Sequence, residues 1–284
     1  MRRLRIEHLT EYRFAGPVQL LPHRLMVRPR EDHNLRVISS RLEIQPIAVI
    51  HWQRDPLDNS IAVANFLGHT SSLRVLSEVV VEHYDDAPLN FVIEPYAAKT
   101  PFQYTSQELP TLAPFLVPSW PADAATVLQW VAAQGYGSGS HDTFSVLDQL
   151  NRAISNGLRY QTREAAGVQS PAQTLAQGGS CRDFAALFCE ACRQLGFASR
   201  FVSGYHTSYA NETDAGSTHA WAEVYLPGAG WKGFDPTAGV LTGSEHIAVA
   251  YAVHAEAVPP ISGSYLGAAE PKPTLHVTVR VLAA

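Results

Sequence analysis

The sequence predicts an α+β protein in which a β-rich part precedes a mixed part of helices and strands. Alternation of apolar and polar residues dominates before about residue 105, whereas apolar residues recur at three- and four-residue spacing in several segments after residue 121. A last alternating segment, 274–282, closes the chain. We therefore expect an N-terminal antiparallel β-sandwich-like domain, a Pro-rich linker or crossover, a mixed core, and a C-terminal strand that is free to return to the first sheet. Their respective bounds are 1–105, 106–121, 122–273 and 274–284.

The first part contains alternating segments separated by turns rich in Pro, Gly, Asp and Asn. Short strands at such spacing are typical of an antiparallel sandwich. The predicted strands are 4–9, 36–44, 60–66 and 73–81.

Prolines interrupt the middle of the chain at positions 110, 114, 118 and 121. Proline removes a backbone donor and restricts the residue before it, so this stretch suits a linker or an irregular crossover. Helical periodicity then predicts helices over 122–134 and 143–156.

A third helix is expected to begin near Cys181. Apolar residues from Phe184 to Leu195 follow a helical period, Ser180 is a suitable N-cap, and Gly196 suits the helix end. In the first turn, unpaired backbone N–H groups and the helix dipole favour a thiolate over a thiol. The same N–H groups are able to donate to an oxyanion. Cys181 is thus a candidate nucleophile.

Two alternating segments follow, 219–226 and 231–235, joined by the turn 227–230. A hairpin about this turn brings His219 and Asp235 close together, and Pro236 favours an extended backbone at Asp235. A thiol, an imidazole and a carboxylate are the groups that nucleophilic acyl transfer requires. The order Cys181, His219, Asp235 therefore predicts that chemistry.

The second half of the chain resembles the transglutaminase-like core of bacterial and archaeal proteins, within the papain-like group of cysteine enzymes. The first hundred or so residues resemble the β-rich domain that precedes this core in one bacterial subfamily. The resemblance implies that Cys181 is the nucleophile, His219 the base and acid, and Asp235 the orienting group. The matching segments are 158–160, 170–175, 179–185, 196–205, 218–224 and 230–237.

Four further residues are candidates near this site. Tyr160 and Gln173 lie upstream of the cysteine, where side-chain donors to the oxyanion occur in similar enzymes. Trp221 and Trp231 would wall a substrate groove, although large aromatic residues on strands are more often core. For each of the four residues, a purely structural role remains the alternative.

Other polar residues near the site carry two interpretations each. Arg182 and Asp183 resemble a family pair that braces the helix start, or they form a solvated ion pair. Tyr205 and His206 border the cleft or belong to a loop. Cys189 and Cys192 are expected to be structural, because a zinc site needs about four ligands and no second pair is found. We expect no metal and no cofactor.

The expected activity is hydrolysis of a peptide-like amide through an acyl-thioester on Cys181. Transglutaminase-type transfer of the acyl group to an amine is the first alternative. A catalytically idle binding scaffold and a metal-dependent hydrolase that uses Cys and His as ligands are the others.

The composition of the chain limits the classes of partner that we expect. The chain of 284 residues is 46% hydrophobic and 17% charged, with a net charge of −5 and no basic cluster. Nucleic acid and membrane are therefore not expected as partners. With three cysteines and no apolar leader, the expected location is the cytoplasm. The family resemblance also implies a role beside ATP-dependent peptide-ligating enzymes.

Overall fold

The architecture is taken from a computed structural model, which describes residues 1–84, 87–163, 165–207, 218–267 and 272–284. The N-terminal strands are β1 (Arg2–Leu20), β2 (His23–Leu25), β3 (Leu35–Gln45), β4 (Ala48–Arg54), β5 (Ser60–Phe66) and β6 (Thr70–His83). The helices are α1 (Leu109–Leu116), α2 (Ala124–Ala133), α3 (Thr143–Gly157), α4 (Pro171–Gln177) and α5 (Cys181–Gln194). The other strands are β7 (Lys99–Thr100), β8 (His141–Asp142), β9 (Ser199–His206), β10 (His219–Leu226), β11 (Gly230–Asp235), β12 (Val240–Leu241), β13 (His246–Ala252), β14 (Ile261–Ser262), β15 (Tyr265–Leu266) and β16 (Thr274–Ala283).

Two antiparallel sheets form the N-terminal part. One sheet has the order β15-β1-β6-β3, with β16 also paired to β1, and the other has the order β14-β2-β5-β4. Strand β6 alternates buried and half-buried residues along most of its length, which is the pattern of a sheet with one face in a core. Leu20, Leu25 and Val75 belong to the cluster packed between the sheets. The predicted β-sandwich-like domain is confirmed.

The second half is a five-stranded antiparallel sheet, with the order β12-β11-β10-β9-β13, and helices packed on it. Helix α5 lies against β9 and β10. Phe184, Leu187 and Phe188 of α5 share one buried cluster with Ala222 and Val224 of β10. This packing sets the N-terminal end of α5 beside the start of β10. The expected α+β class with a papain-like core is confirmed.

The proline-rich stretch differs from the irregular linker that its composition indicates, because it contains α1. Pro110 stands in the first turn of α1, where no intrahelical N–H partner is lost. Leu112 and Phe115 are buried, and they pack near Trp231. Burial of this apolar face explains why a short helix forms despite Pro114 in its interior.

The two halves share one core. Ile6 of β1 and Val281 of β16 lie in the same buried cluster as Leu147 of α3 and Phe188 of α5. The C-terminal strand β16 pairs antiparallel with β1, with Ile6 opposite Val281. The last residues of the chain thus complete the first sheet. None of the helices described is both long and apolar enough to cross a membrane.

Candidate active site

The start of α5 is held by the carboxylate of Asp183, which is fully buried. One of its oxygens accepts from the backbone N–H and the hydroxyl of Ser180, at 2.8 and 2.7 Å. The other accepts from the N–H of Gln169 at 2.8 Å. Arg163 donates to both oxygens, at 2.7 and 2.9 Å. Burial opposes ionisation, but these donors outweigh it and lower the pKa of Asp183. The anchored loop presents Cys181, which is partly exposed.

The partner of Asp183 is Arg163, which sequence reasoning missed. The neighbouring Arg182 instead donates to the backbone carbonyls of Arg163 and Ala165. Both arginines therefore tie the segment around residue 163 to the helix start. No spacing signal marks Arg163, because it precedes Asp183 by twenty residues and meets it only through the fold.

The two glycines before Cys181, Gly178 and Gly179, are tightly packed against neighbouring residues of the protein. Gly178 has φ +79°, and a Cβ there would lie 2.1 Å from the carbonyl oxygen of Arg159. A Cβ on Gly179 would lie 2.7 Å from the Cβ of Asp183. The space beside these glycines is therefore taken by Arg159 and Asp183.

His219 lies at the first position of β10, opposite Gly204 of β9. Its Nε2 is 2.8 Å from Oδ2 of Asp235, the last residue of β11. The Cys181 side chain hydrogen-bonds to the same imidazole. The structure therefore brings together Cys181, His219 and Asp235, as the hairpin predicts. His219 is 5% exposed and Asp235 is fully buried.

The charges of this group are coupled. Burial opposes protonation of His219, but hydrogen bonds to Asp235 and Cys181 and their negative charges outweigh it and raise the pKa of His219 to about 9. Burial likewise disfavours the carboxylate of Asp235, yet its bonds to His219 and His246 hold the pKa of Asp235 far below its usual range. The arrangement thus favours an imidazolium beside the thiol at neutral pH.

The other two cysteines differ sharply from Cys181. Cys189 and Cys192 lie inside the core on α5. Burial raises the pKa of Cys189 to about 12 and that of Cys192 well above its ordinary value. They are therefore held as neutral thiols, and only Cys181 is placed for reaction.

A residue that the sequence analysis did not single out also contacts Asp235. Nε2 of His246, the first residue of β13, lies 3.1 Å from the same Oδ2 that bonds to His219. Oδ1 of Asp235 accepts from the N–H of Thr237 at 2.9 Å. His246 follows Asp235 in a different strand of the sheet, so no local pattern indicates the contact. The contact reaches across the sheet, because β10 and β9 lie between β11 and β13 in the strand order.

Within the described part of the chain, His206, Asp235 and His246 form a group that could offer a metal-type donor set. Their ligand atoms lie within 4.8 Å of one another, and all three residues are buried. Imidazole and carboxylate suit zinc. However, Nδ1 of His246 accepts from the N–H of Gly243 at 3.3 Å, which leaves the proton on Nε2, facing Asp235. The three residues thus form a hydrogen-bonded and packed polar cluster around Asp235. His206, at the end of β9, packs its ring 4.4 Å from that of His246.

The two candidates for the oxyanion donor lie in different surroundings. Tyr160 forms a parallel bridge with Gly179 and packs its ring edge-on against Phe184, so it stands beside the start of α5. It is half exposed. Oε1 of Gln173 accepts from the N–H of Ser170 at 3.1 Å and thereby caps α4. Gln173 therefore already has a structural contact.

Trp221 and Trp231 line a cavity of about 340 Å³ between the core sheet and the N-terminal part. His246, Arg30 and Tyr251 line it as well, whereas, among the residues described, neither Cys181 nor His219 does. Arg200 lies 4.2 Å above the ring of Trp231. The ring of Trp221 also lies beside the candidate triad, with its centroid 6.1 Å from that of His219 and 5.2 Å from that of His246. Tyr205 is buried and hydrogen-bonds to Val27, so it does not border an open cleft.

The helix that opens on a cysteine, together with an antiparallel sheet that carries a histidine and an aspartate, defines the transglutaminase-like fold within the papain-like group. Residues 131–236 match the family described as transglutaminase-like superfamily, and residues 4–82 match the bacterial transglutaminase-like N-terminal region. The chain belongs to the transglutaminase-like superfamily, in its bacterial form with an N-terminal β-rich region.

Relatives share this organisation over nearly their whole length. The uncharacterized protein Rv2569c of Mycobacterium tuberculosis is 27% identical over 92% of this chain and 87% of its own. The uncharacterized protein ML0607 of Mycobacterium leprae is 25% identical over 94% of each chain. A crystal structure from Cytophaga hutchinsonii, provisionally described as a cysteine protease, has a TM-score of 0.75 and 18% identity, covering 100% of this chain and 91% of that one. This likeness shows the shared fold.

Proposed function

We propose that the protein is a thiol hydrolase that cleaves a peptide-like amide through an acyl-thioester on Cys181. One observation carries the proposal: Cys181, at the start of a helix, hydrogen-bonds to His219, which in turn bonds to the buried Asp235. Superfamily membership supports it, since its members are typically cysteine-dependent enzymes. We propose an amide as the substrate and water as the acceptor of the acyl group.

The chemistry follows from the protonation states. The Cys181 thiolate attacks the carbonyl carbon of the amide, and the carbonyl oxygen takes up the negative charge. When the C–N bond breaks, His219 gives its proton to the leaving nitrogen, and an acyl-thioester remains. Water then attacks the thioester, His219 takes a proton from it, and the C–S bond breaks. A carboxylic acid and the thiolate are released, and the imidazolium is restored.

The oxyanion needs donors at the start of α5. We assign the backbone N–H of Cys181 as one, because the first turn of a helix directs its N–H groups outward. We assign Tyr160 as the side-chain donor, because its bridge to Gly179 holds it beside the cysteine. Gln173 is the weaker candidate, since its side-chain oxygen already caps α4.

Replacement of Tyr160 by Phe tests this assignment. Loss of one oxyanion donor is expected to lower kcat by about 10²-fold while KM changes little. The edge-on contact with Phe184 is kept by the phenylalanine ring, so stability should be preserved. An unchanged kcat in Tyr160→Phe, with a loss in Gln173→Ala instead, would move the assignment to Gln173.

We propose a peptide or another amide as substrate, and neither nucleic acid nor membrane as partner. A place beside ATP-dependent peptide-ligating enzymes is proposed from the family alone. All three cysteines are free thiols, so we assign the protein to the reducing cytoplasm, where Cys181 stays available.

The proposal is tested first without a substrate. Each cysteine is labelled with iodoacetamide from about pH 5 to 9 and followed by peptide mass spectrometry, in the wild type and in His219→Ala. An ordinary thiol has a pKa near 8.5, so rapid labelling of Cys181 at about pH 6–7 reports a thiolate that the imidazolium stabilises. The mutant should label there more slowly. Cys189 and Cys192 are internal controls, because both are buried.

Each outcome decides between the alternatives. Labelling of Cys181 no faster than that of the buried cysteines would favour an idle scaffold. Once an amide substrate is found, inhibition by alkylation with indifference to a chelator supports the thiol enzyme, whereas loss of activity with chelator would favour a metal-dependent hydrolase. Release of a free acid identifies hydrolysis, and an amide product formed with added amine identifies acyl transfer.

A further inference from the structure

The carboxylate of Asp235 has donors on three sides. His219 of β10 and His246 of β13 both bond to Oδ2, at 2.8 and 3.1 Å, and the N–H of Thr237 bonds to Oδ1 at 2.9 Å. A carboxyl group with only the His219 bond would be free to rotate about its side-chain torsions. The bond from His246 fixes the plane of the group that orients the catalytic imidazole.

His246 is itself constrained to be a donor. Its Nδ1 accepts from the N–H of Gly243, so its Nε2 carries the proton that Asp235 accepts. The rings of Trp221 and His206 pack edge-on against it, at 5.2 and 4.4 Å between centroids. These contacts fix both the tautomer and the rotamer of His246.

The N-terminal part holds the strand that carries this histidine. Strand β13 is the last strand of the core sheet and pairs on one side only, with β9. On its other side, Nε2 of His83 donates to the carbonyl of His246 at 3.1 Å, and the N–H of Arg30 donates to the carbonyl of Ala248 at 2.9 Å. Asn59 bonds to both backbone groups of Tyr251, at 2.8 and 2.7 Å.

We infer that the N-terminal β domain acts as the positioning scaffold of the catalytic site: His83 holds β13 at His246, and His246 orients Asp235 toward His219. This inference rests on the proposed function and assigns a task to the first domain. His246 and His83 are positioning residues, since both act through Asp235 and neither touches the reacting atoms.

The charged groups near His246 support its role as a hydrogen-bond donor to Asp235. Around the imidazole of His246 stand Asp235 of β11, His219 of β10 and His206 of β9, whereas His83 of β6 contacts the backbone carbonyl of His246. Burial, together with the charges of His246 and His219, lowers the pKa of His206 to about 3, so His206 is neutral. Asp235 is thus the anion that His246 faces within the cluster. Glu245 lies 3.9 Å from His206 on its exposed side.

The experiment compares paired variants of the full chain. His246→Gln and His83→Gln keep a side-chain N–H donor, whereas His246→Leu and His83→Leu remove it. Readouts are the rate of Cys181 alkylation at pH 7 and, with a substrate, kcat, KM and the alkaline limb of the pH profile. His246→Leu should slow alkylation by about tenfold, which corresponds to loss of one hydrogen bond to a charged group. His83→Leu should slow it by about threefold, since the loss is transmitted through one strand.

The matched control is His8→Leu. His8 is buried in β1 and hydrogen-bonds to Tyr205 of β9 and to Thr10, so it joins the same two parts of the protein through β9. Its loss should reduce the thermal stability but leave Cys181 alkylation unchanged. Thermal unfolding of every variant shows that the chain is folded at the assay temperature.

The outcomes separate this inference from the proposed function. Slow alkylation of His246→Leu and His83→Leu, rescue by the glutamine variants, and a normal rate in His8→Leu support it. If the wild type shows a reactive Cys181 and both leucine variants match it, the scaffold role is overturned while the thiol enzyme stands. If the wild type itself lacks a reactive Cys181, the proposed function fails first. Equal slowing in all three leucine variants would mean general destabilisation and would also overturn the inference.

Discussion

At Asp235, one carboxylate oxygen is shared by two histidines, and only one of them is predicted by the hairpin. The pairing with His219 follows from two neighbouring strands and a short turn. The pairing with His246 depends on a strand from the opposite edge of the sheet. Local sequence pattern therefore predicts the contact of Asp235 with His219 but not its contact with His246, because the alternation within a strand does not report which distant strands meet.

Replacement of Asp235 by Asn should shift the pH dependence of activity. The charge and hydrogen bond of Asp235 help to raise the pKa of His219 to about 9, so in the wild type the imidazolium persists up to that pH. Without the charge, the alkaline limb should move down toward 6.5, the ordinary value for histidine. The loss of kcat/KM at pH 8 should be about 10²-fold. An alkaline limb that stays near pH 9 in the variant would show that His219 does not set it.

At the scale of single elements, the start of α5 is stabilised by contacts that its sequence only partly indicates. The N-cap at Ser180 and the acidic residue at position 183 predict where the helix begins, and it begins there. The buried ion pair with Arg163 and the close fit of the glycines to segment 159–161 come from a loop that the helical pattern does not include.

Replacement of Asp183 by Asn should be strongly destabilising. The variant leaves Arg163 with an uncompensated, mostly buried charge, which costs about 3 kcal/mol in the free energy of unfolding. The lowered pKa of Asp183 means that its contribution is present above about pH 4, the value for an unfolded carboxyl group, and is lost as pH falls through the folded value. Urea unfolding at pH 7 and pH 3 should therefore show a large deficit at pH 7 that shrinks at pH 3.

The matched control for this change is Asp148→Asn. Asp148 pairs with Arg152 on the surface of α3, where the arginine side chain is 61% exposed. Its loss should cost no more than about 0.5 kcal/mol. Equal costs at the two positions would show that the ion pair of Asp183 does not stabilise the helix start.

A glycine pair tests the packing beside Cys181. Gly178 and Gly196 both have positive φ, but a Cβ meets the Arg159 carbonyl oxygen at 2.1 Å in the first case and nothing within 4 Å in the second. Gly196→Ala should cost about 1 kcal/mol from backbone strain alone. Gly178→Ala should cost more in unfolding free energy and should slow Cys181 alkylation. A Gly178→Ala variant as stable as Gly196→Ala would contradict the close packing.

At the scale of the whole molecule, the two parts form one folding unit. The C-terminal strand β16 completes the first sheet, and residues of both parts share the large core cluster. The edge strand β13 of the five-stranded sheet is likewise hydrogen-bonded to residues of the N-terminal part. The boundary at about residue 105 therefore separates two segments of the sequence, but the packed core continues from one part to the other.

Calorimetry should therefore show a single unfolding transition. A destabilising substitution in β16 should lower the midpoint temperature of that whole transition. Val279 is fully buried in the shared core, so Val279→Ala should cost about 2 kcal/mol. Leu275→Ala, at an exposed position of the same strand, should cost little. Two transitions, with only the first moved by Val279→Ala, would contradict the single unit.

The sequence alone determined the α+β class, the first turn of the cysteine helix and the order of the three catalytic candidates. These features depend on residues close in the chain, where helical period, strand alternation and turn residues are direct signals. The tertiary structure decided that Arg163 pairs with Asp183, that His246 contacts Asp235, and that His83 of the first domain bonds to the edge strand β13. Those contacts join residues far apart in the chain, and their formation depends on how the sheets and helices pack, which no local pattern encodes.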